Sequence, residues 1–184
     1  SRFDEARQLL LAIQNQKATN VPVGMMLARI TQKLEGSAKA ADFLASYNET
    51  VGPEPTLLLE QGRYLMESGR NDQALSMFRQ TLGAGVSDPR ILNGMGVVLS
   101  RLNRKAEAKA AFKKATEEDP NDPNALFNLA AELSKATDPE DLKHAATLLQ
   151  RSIELQGHNP TAHDCLAKVS LKLGRTNQAI DAAS

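Results

Sequence analysis

The chain has 184 residues, and its 22 Lys plus Arg balance 22 Asp plus Glu, so the formal net charge is zero. That balance argues against a dedicated nucleic-acid binder, which needs a basic excess to neutralise phosphates, and against general attraction to anionic membrane surfaces. One cysteine, Cys165, excludes an internal disulfide framework and a cysteine-rich zinc site, and no apolar run approaches the ~20 residues that span a bilayer.

Alanine and leucine dominate while aromatics are 4%, a composition that favours an all-helical protein. The opening SRFDEARQLL reads as mid-helix, without the basic-then-apolar start of a signal peptide, so further residues are expected upstream. Nothing in the chain separates a cytoplasmic from a periplasmic location. Residues 1–20 read as the second helix of a helix pair, with Ala6 and Leu10 at positions that recur later. Residues 21–54 form a complete unit carrying Ala28, Ala40 and Leu44. The next unit, 55–88, sets the numbering: with Pro55 as position 1, Gly62 is position 8, Ala74 position 20 and Phe78 position 24. The unit 89–122 repeats this with Gly96, Ala108 and Phe112, each 34 residues on, and adds Ala115 at 27 and Pro120 at 32. Residues 123–159 carry Ala130, Ala145 and Leu149 in the same places but run three residues longer, and 160–184 carry Ala167 and Ala179 and stop within a helix.

Each position has a physical role. Positions 4, 7, 8 and 11 lie on one helical face, as in Leu92, Met95, Gly96 and Leu99. The small residues at 8 and 20 let two backbones approach, and larger apolar residues fill the space around them. Asp88-Pro89, Asp122-Pro123 and Asn159-Pro160 put a capping side chain before a proline suited to a first helical turn. Gly69, Asn103 and Gly174 at position 15 tolerate the left-handed conformation that ends a helix. In the long unit, Thr137 and Glu140 are placed for a capping box with Pro139 in the first turn. The three extra residues there lengthen the turn or extend the second helix by about one turn, as a tolerated surface insertion.

These residues resemble the tetratricopeptide repeat, TPR. The unit 89–122 meets its pattern best, closing with EEDPND, while 21–54 lacks aromatics at the key places and has Gly52 where proline is expected. The resemblance covers nearly the whole chain and implies an all-α fold, a right-handed α-solenoid of antiparallel helix pairs. It further implies that the first helix of each pair lines a concave groove that takes an extended peptide or a helix of a protein partner. The chain begins and stops in second helices, so apolar surface is expected at both ends, which fits either a piece of a longer array or self-association through those ends.

If positions 2, 5, 6 and 9 face that groove, Met25, Leu59 and Phe127 supply apolar contacts, with Met26 beside them. Arg29, Arg63 and Arg90 supply positive charge, and Asn93, Asn124 and Asn128 can donate to and accept from a peptide backbone. The expected ligand is a segment carrying both apolar and acidic residues. A TPR subclass grips acidic C-termini with a two-carboxylate clamp; Leu59, Arg63, Gly94, Asn124 and Asn128 match only fragments of that motif.

The three histidines, His144, His158 and His163, fall in one third of the chain, and no HExxH, CxxC or phosphate-cradling glycine loop occurs, so neither a metal, a cofactor nor catalysis is expected. GMG at Gly94–Gly96 reads as helix packing. The leading expectation is a non-catalytic protein–protein interaction scaffold. The alternatives are a TPR segment that recruits substrate for a larger enzyme, and a pilus or cell-envelope assembly factor. The arginine-rich turns and the DPNDP junction have a bacterial look.

Overall fold

The computed structural model describes Gln8 and residues 20–174. The expected second helix of residues 1–20 and the second helix expected after Gly174 lie outside the described residues. Nine helices are bounded among the described residues: α1 Val21–Glu35, α2 Ser37–Val51, α3 Pro55–Glu67, α4 Asn71–Gly83, α5 Pro89–Arg101, α6 Lys105–Glu118, α7 Pro123–Leu133, α8 Pro139–Leu155 and α9 Pro160–Lys172. Short turns make sequence neighbours antiparallel, so the fold is the all-α array of helix pairs that the period predicts. The chain groups into two compact units, one ending at Gly94 and one beginning at Met95, a boundary inside α5. In the first unit α1 packs on α2, α2 on α3 and α3 on α4, and α1 also touches α3. In the second, α6 packs on α7, α7 on α8 and α8 on α9. Among the described residues no helix is long and apolar enough to cross a membrane.

The caps follow the sequence. The backbone N–H of Arg90 donates to Asp88 at 2.9 Å, that of Asn124 to Asp122 at 2.9 Å and that of Ala162 to Asn159 at 3.1 Å. Asn103 has φ +59°, beside Gly69 at +79° and Gly174 at +71° in the equivalent places. It is the one non-glycine among the described residues with positive φ, where asparagine is tolerated better than most side chains. The expected capping box of Thr137 and Glu140 does not form. Asp138 is the cap instead, accepting from the Glu140 backbone N–H at 3.3 Å, and Pro139 opens α8. Asp sits one residue nearer the proline and reaches the same orphan donors. The three extra residues of this unit show mainly as a longer second helix, 17 residues in α8 against 13 in α4 and 14 in α6.

The core is built on size matching across each pair. A methyl group placed on Gly62 would sit 2.7 Å from the Phe78 ring, and one on Gly94 would sit 2.8 Å from the same ring. One on Gly96 would sit 2.4 Å from Phe112. Phe78 and Phe112 are 1% and 3% exposed, each lying on bare backbone. Where position 8 is Ala28 or Ala130 instead, position 24 is the smaller Leu44 or Leu149, again fully buried. The aromatic missing from residues 21–54 is supplied from elsewhere: Tyr47, at position 27, fills the space over Gly24 at position 4. Its hydroxyl donates to the Asn20 carbonyl at 2.9 Å, which satisfies the one polar atom that the burial would strand. Gly52, out of pattern in the sequence, ends α2 at φ +88° with its N–H donating to the Asn48 carbonyl.

Two outcomes are expected in urea unfolding. Gly96→Ala should destabilise by about 1–3 kcal/mol through overpacking, and Phe112→Leu in the same chain should recover part of that loss, as the alanine–leucine pairs imply. Additive losses would show that ring and glycine are not coupled. Asp138→Ala should cost about 1 kcal/mol and Thr137→Ala about a quarter of that or less.

Candidate functional site

The first-helix face of the first unit is formed by α1, α3 and the start of α5. Met25 and Leu59 are half-buried there, while Met26 keeps 55% of its surface exposed. The arginines do not stand as three open charges. The Arg63 guanidinium pairs with Glu60 at 2.7 Å and with Glu67, and stacks over the Tyr64 ring with its carbon 4.4 Å from the centroid. Glu67 is held in turn by Ser37 at 2.7 Å and Gln32 at 3.0 Å, which ties α3 to the α1–α2 turn. Arg90 is spent on Asp88, its own helix cap, at 2.6 Å. Arg29 is exposed.

The electrostatics agree with this pairing. Partial burial pulls the Arg63 guanidinium down, but the hydrogen bond and charge of Glu60, with Glu67, outweigh it and leave it above its ordinary value. Hydrogen bonding from Arg90 holds the Asp88 carboxyl below its usual range, against a smaller effect of burial. Burial raises the Tyr64 phenol, opposed by the Arg63 charge. The expected groove residues include Arg63 but neither Glu60 nor Glu67, the two carboxylates that answer it. Their three- and four-residue spacing to Arg63 is the helical ion-pair signal that would have found them.

In the second unit the face is built by the rest of α5 with α7 and α9. Phe127 and Asn128 are half-buried and Asn124 is exposed. Asn128 lines a cleft of about 180 Å³ with Val97, Ser100, Ala131, Glu132 and the edge of Phe112, rimmed by Arg101 and Lys135. Glu132 lies at the bottom, its side chain 6% exposed, accepting from the Ser100 hydroxyl at 3.1 Å and from Lys135. Lys135 also donates to the Ser100 hydroxyl at 3.3 Å, and Lys172 donates to the neighbouring Ser134 carbonyl at 2.7 Å. Arg101, Lys135 and Lys172 all occupy position 13 of their units, a row legible in the sequence but outside the four positions expected to face a ligand. Thus the structure brings Asn128 to a cleft, lays Arg63 over the Tyr64 ring, leaves Arg29 exposed and turns Arg90 back to its cap. Asn93, also half-buried, lies on the first unit's part of α5.

Among the described residues no group of three or more His, Cys, Asp or Glu is arranged to hold a metal ion. Cys165 is half-buried on α9. Burial pushes its thiol above the ordinary range, against a hydrogen bond with Ser134. Less thiolate exists at neutral pH as a result, so iodoacetamide should modify Cys165 about threefold or more slower at pH 7.5 than a cysteine in a short peptide. Equal rates, read by mass spectrometry, would show a thiol without that perturbation.

The family model for the TPR domain of cytochrome c-type biogenesis protein H matches residues 58–183, well over half of the chain. The chain belongs to this TPR family. It is 28% identical over 169 residues to cellulose synthase operon protein C of Xanthomonas axonopodis pv. citri, covering 87% of this chain and 11% of that one. The TPR chain spans about a tenth or less of the length of the curated relatives it matches. Among solved structures it resembles PilF of Pseudomonas aeruginosa, with a TM-score of 0.85 at 16% identity over 98% of this chain and 81% of that one. It also resembles YrrB, described as a TPR protein with an unusual peptide-binding site, with a TM-score of 0.70 at 17% identity over 94% and 88%. At such identities the likeness to PilF and YrrB is one of fold.

Proposed function

We propose that this TPR chain is a non-catalytic protein-interaction module whose first-helix faces take a segment of a partner protein. The observation that carries the reading is the character of those faces. They hold half-buried apolar side chains, Met25 and Leu59 in the first unit and Phe127 in the second, beside amide groups such as Asn124 and Asn128. Apolar floors with a few polar groups suit a peptide, whose backbone needs donors and acceptors while its side chains need burial. TPR membership, and the peptide-binding site named for YrrB, support it. The family's description refers to cytochrome c-type biogenesis, which makes that process the first setting in which to seek the partner.

A second reading is favoured by one observation. The match to cellulose synthase operon protein C covers 87% of this chain but 11% of that protein. On this reading the chain is a segment of a larger cell-envelope or polysaccharide-assembly protein, and its faces recruit a component to the rest of that machine.

Peptides selected from a random displayed library against the wild-type chain test the first reading. Leu59→Asp with Asn128→Ala, in a variant checked for helicity, should weaken the selected peptides about tenfold or more. Lys143→Ala on α8, away from these faces, should leave them within twofold. Unchanged binding in the first variant would move the site off the first-helix faces.

A further inference from the structure

The first helices α1 and α3 offer the same stripe of surface, positions 2, 6, 9 and 13, with different charge. On α3 the stripe reads Thr56, Glu60, Arg63 and Glu67, and the arginine is answered from one turn on either side. On α1 it reads Pro22, Met26, Arg29 and Lys33, all four exposed. Where α3 carries its two carboxylates, α1 carries an apolar residue and a second cation. Among the described residues neither Arg29 nor Lys33 has an ion pair. Glu60 and Glu67 are held by Arg63, Gln32 and Ser37. Glu35, the one carboxylate of α1, is two residues from Lys33 and lies off the stripe. Lys33 stands in the last turn of α1, where a cation is favourable on its own account, so alone it carries no ligand. Arg29 stands a turn earlier, beyond that effect, and beside it Met26 leaves 55% of its surface in water. One exposed apolar residue followed on the same helix face by two open cations is complementary to an apolar residue followed by acids.

We infer that the Met26–Arg29–Lys33 stripe of α1 is the acid-reading subsite of the first unit. It takes an extended segment of a partner protein in which an apolar residue on Met26 is followed, at alternate positions, by two Asp or Glu residues on Arg29 and Lys33. The spacing fits. Arg29 and Lys33 lie about 6 Å apart along the helix axis, and alternate residues of an extended chain lie about 7 Å apart on one side. The partner supplies to α1 the carboxylates that Glu60 and Glu67 supply within α3. This rests on the peptide-binding reading above and names the chemistry of its ligand. A polyanion such as single-stranded nucleic acid would answer the cations but not Met26, and the chain's zero net charge gives it no general attraction.

The test uses the whole chain and two fluorescein-labelled ten-residue peptides in a Gly/Ser background, one containing Leu-Gly-Glu-Gly-Glu and the other Leu-Gly-Gln-Gly-Gln. By fluorescence anisotropy the Glu peptide should bind about fivefold or more tighter than the Gln peptide and lose that gain at 0.5 M NaCl, as exposed charge contacts do. Arg29→Gln with Lys33→Gln, checked for helicity, should abolish the gain. Lys39→Gln with Arg79→Gln removes the same charge from exposed sites on α2 and α4 of the same unit and should keep it. Met26→Ser should weaken both peptides about twofold or more. Equal affinity for the two peptides overturns the inference, as does an equal loss in both double variants, indifference to Met26→Ser, absence of binding by the Glu peptide, or tighter binding of a single-stranded oligonucleotide. If the two peptides bind equally and Leu59→Asp with Asn128→Ala still weakens the library-selected ligands, the peptide-binding reading stands while the acid-reading stripe falls.

Discussion

The array depends on an aromatic ring lying against a helix backbone that carries no side chain. Phe78 meets Gly62 within its own pair and Gly94 at the start of the next helix, so one ring holds three helices together. A helix pair alone cannot cover its apolar face, and stacking is what buries it. Ring-on-glycine contact sets how closely the stacked helices approach.

The ion pairs of the two units do different work. In the first, the Glu60–Arg63–Glu67 run and its links to Gln32 and Ser37 knit α3 to the α1–α2 turn. Such partly exposed pairs are each worth little for stability, about 0–1 kcal/mol, but they fix where long side chains lie and leave little open charge. In the second, the buried Glu132 accepts from Ser100 and Lys135, which joins α5 to α7.

Most of the fold was legible because its signals are local or periodic. Proline after Asp or Asn marked the starts of α5, α7 and α9, and Asn103 marked a left-handed turn that glycine fills elsewhere. Thr137 misled because Asp138, next to it, competes for the same backbone donors and wins. The repeat 21–54 fits the pattern less well for a different reason: its large and small partners exchange places, Tyr47 and Gly24 standing where the pattern has other residues. Such an exchange conserves volume across a contact and is invisible to a position-by-position reading. The site was less legible than the fold. Arg63 and Arg90 were recognisable as cations, but whether a cation is open to a ligand depends on Glu60, Glu67 and Asp88 turning toward them. The cleft itself joins residues about thirty positions apart, Val97 with Asn128 and Ser100 with Glu132.

The long α8 shows how such an array absorbs extra sequence. Three residues are close to one full helical turn, so the growth returns Ala145 and Leu149 to the inward side, both 0% exposed. Leu142, one turn earlier, is buried as well, where the matching Lys105 of α6 is exposed. Length in this architecture is quantised. An insertion of one or two residues would rotate the packed stripe away from its neighbour, whereas a whole turn adds a rung to the helix and an anchor to the core. Change of that size can accumulate on second helices while the first-helix faces keep their geometry.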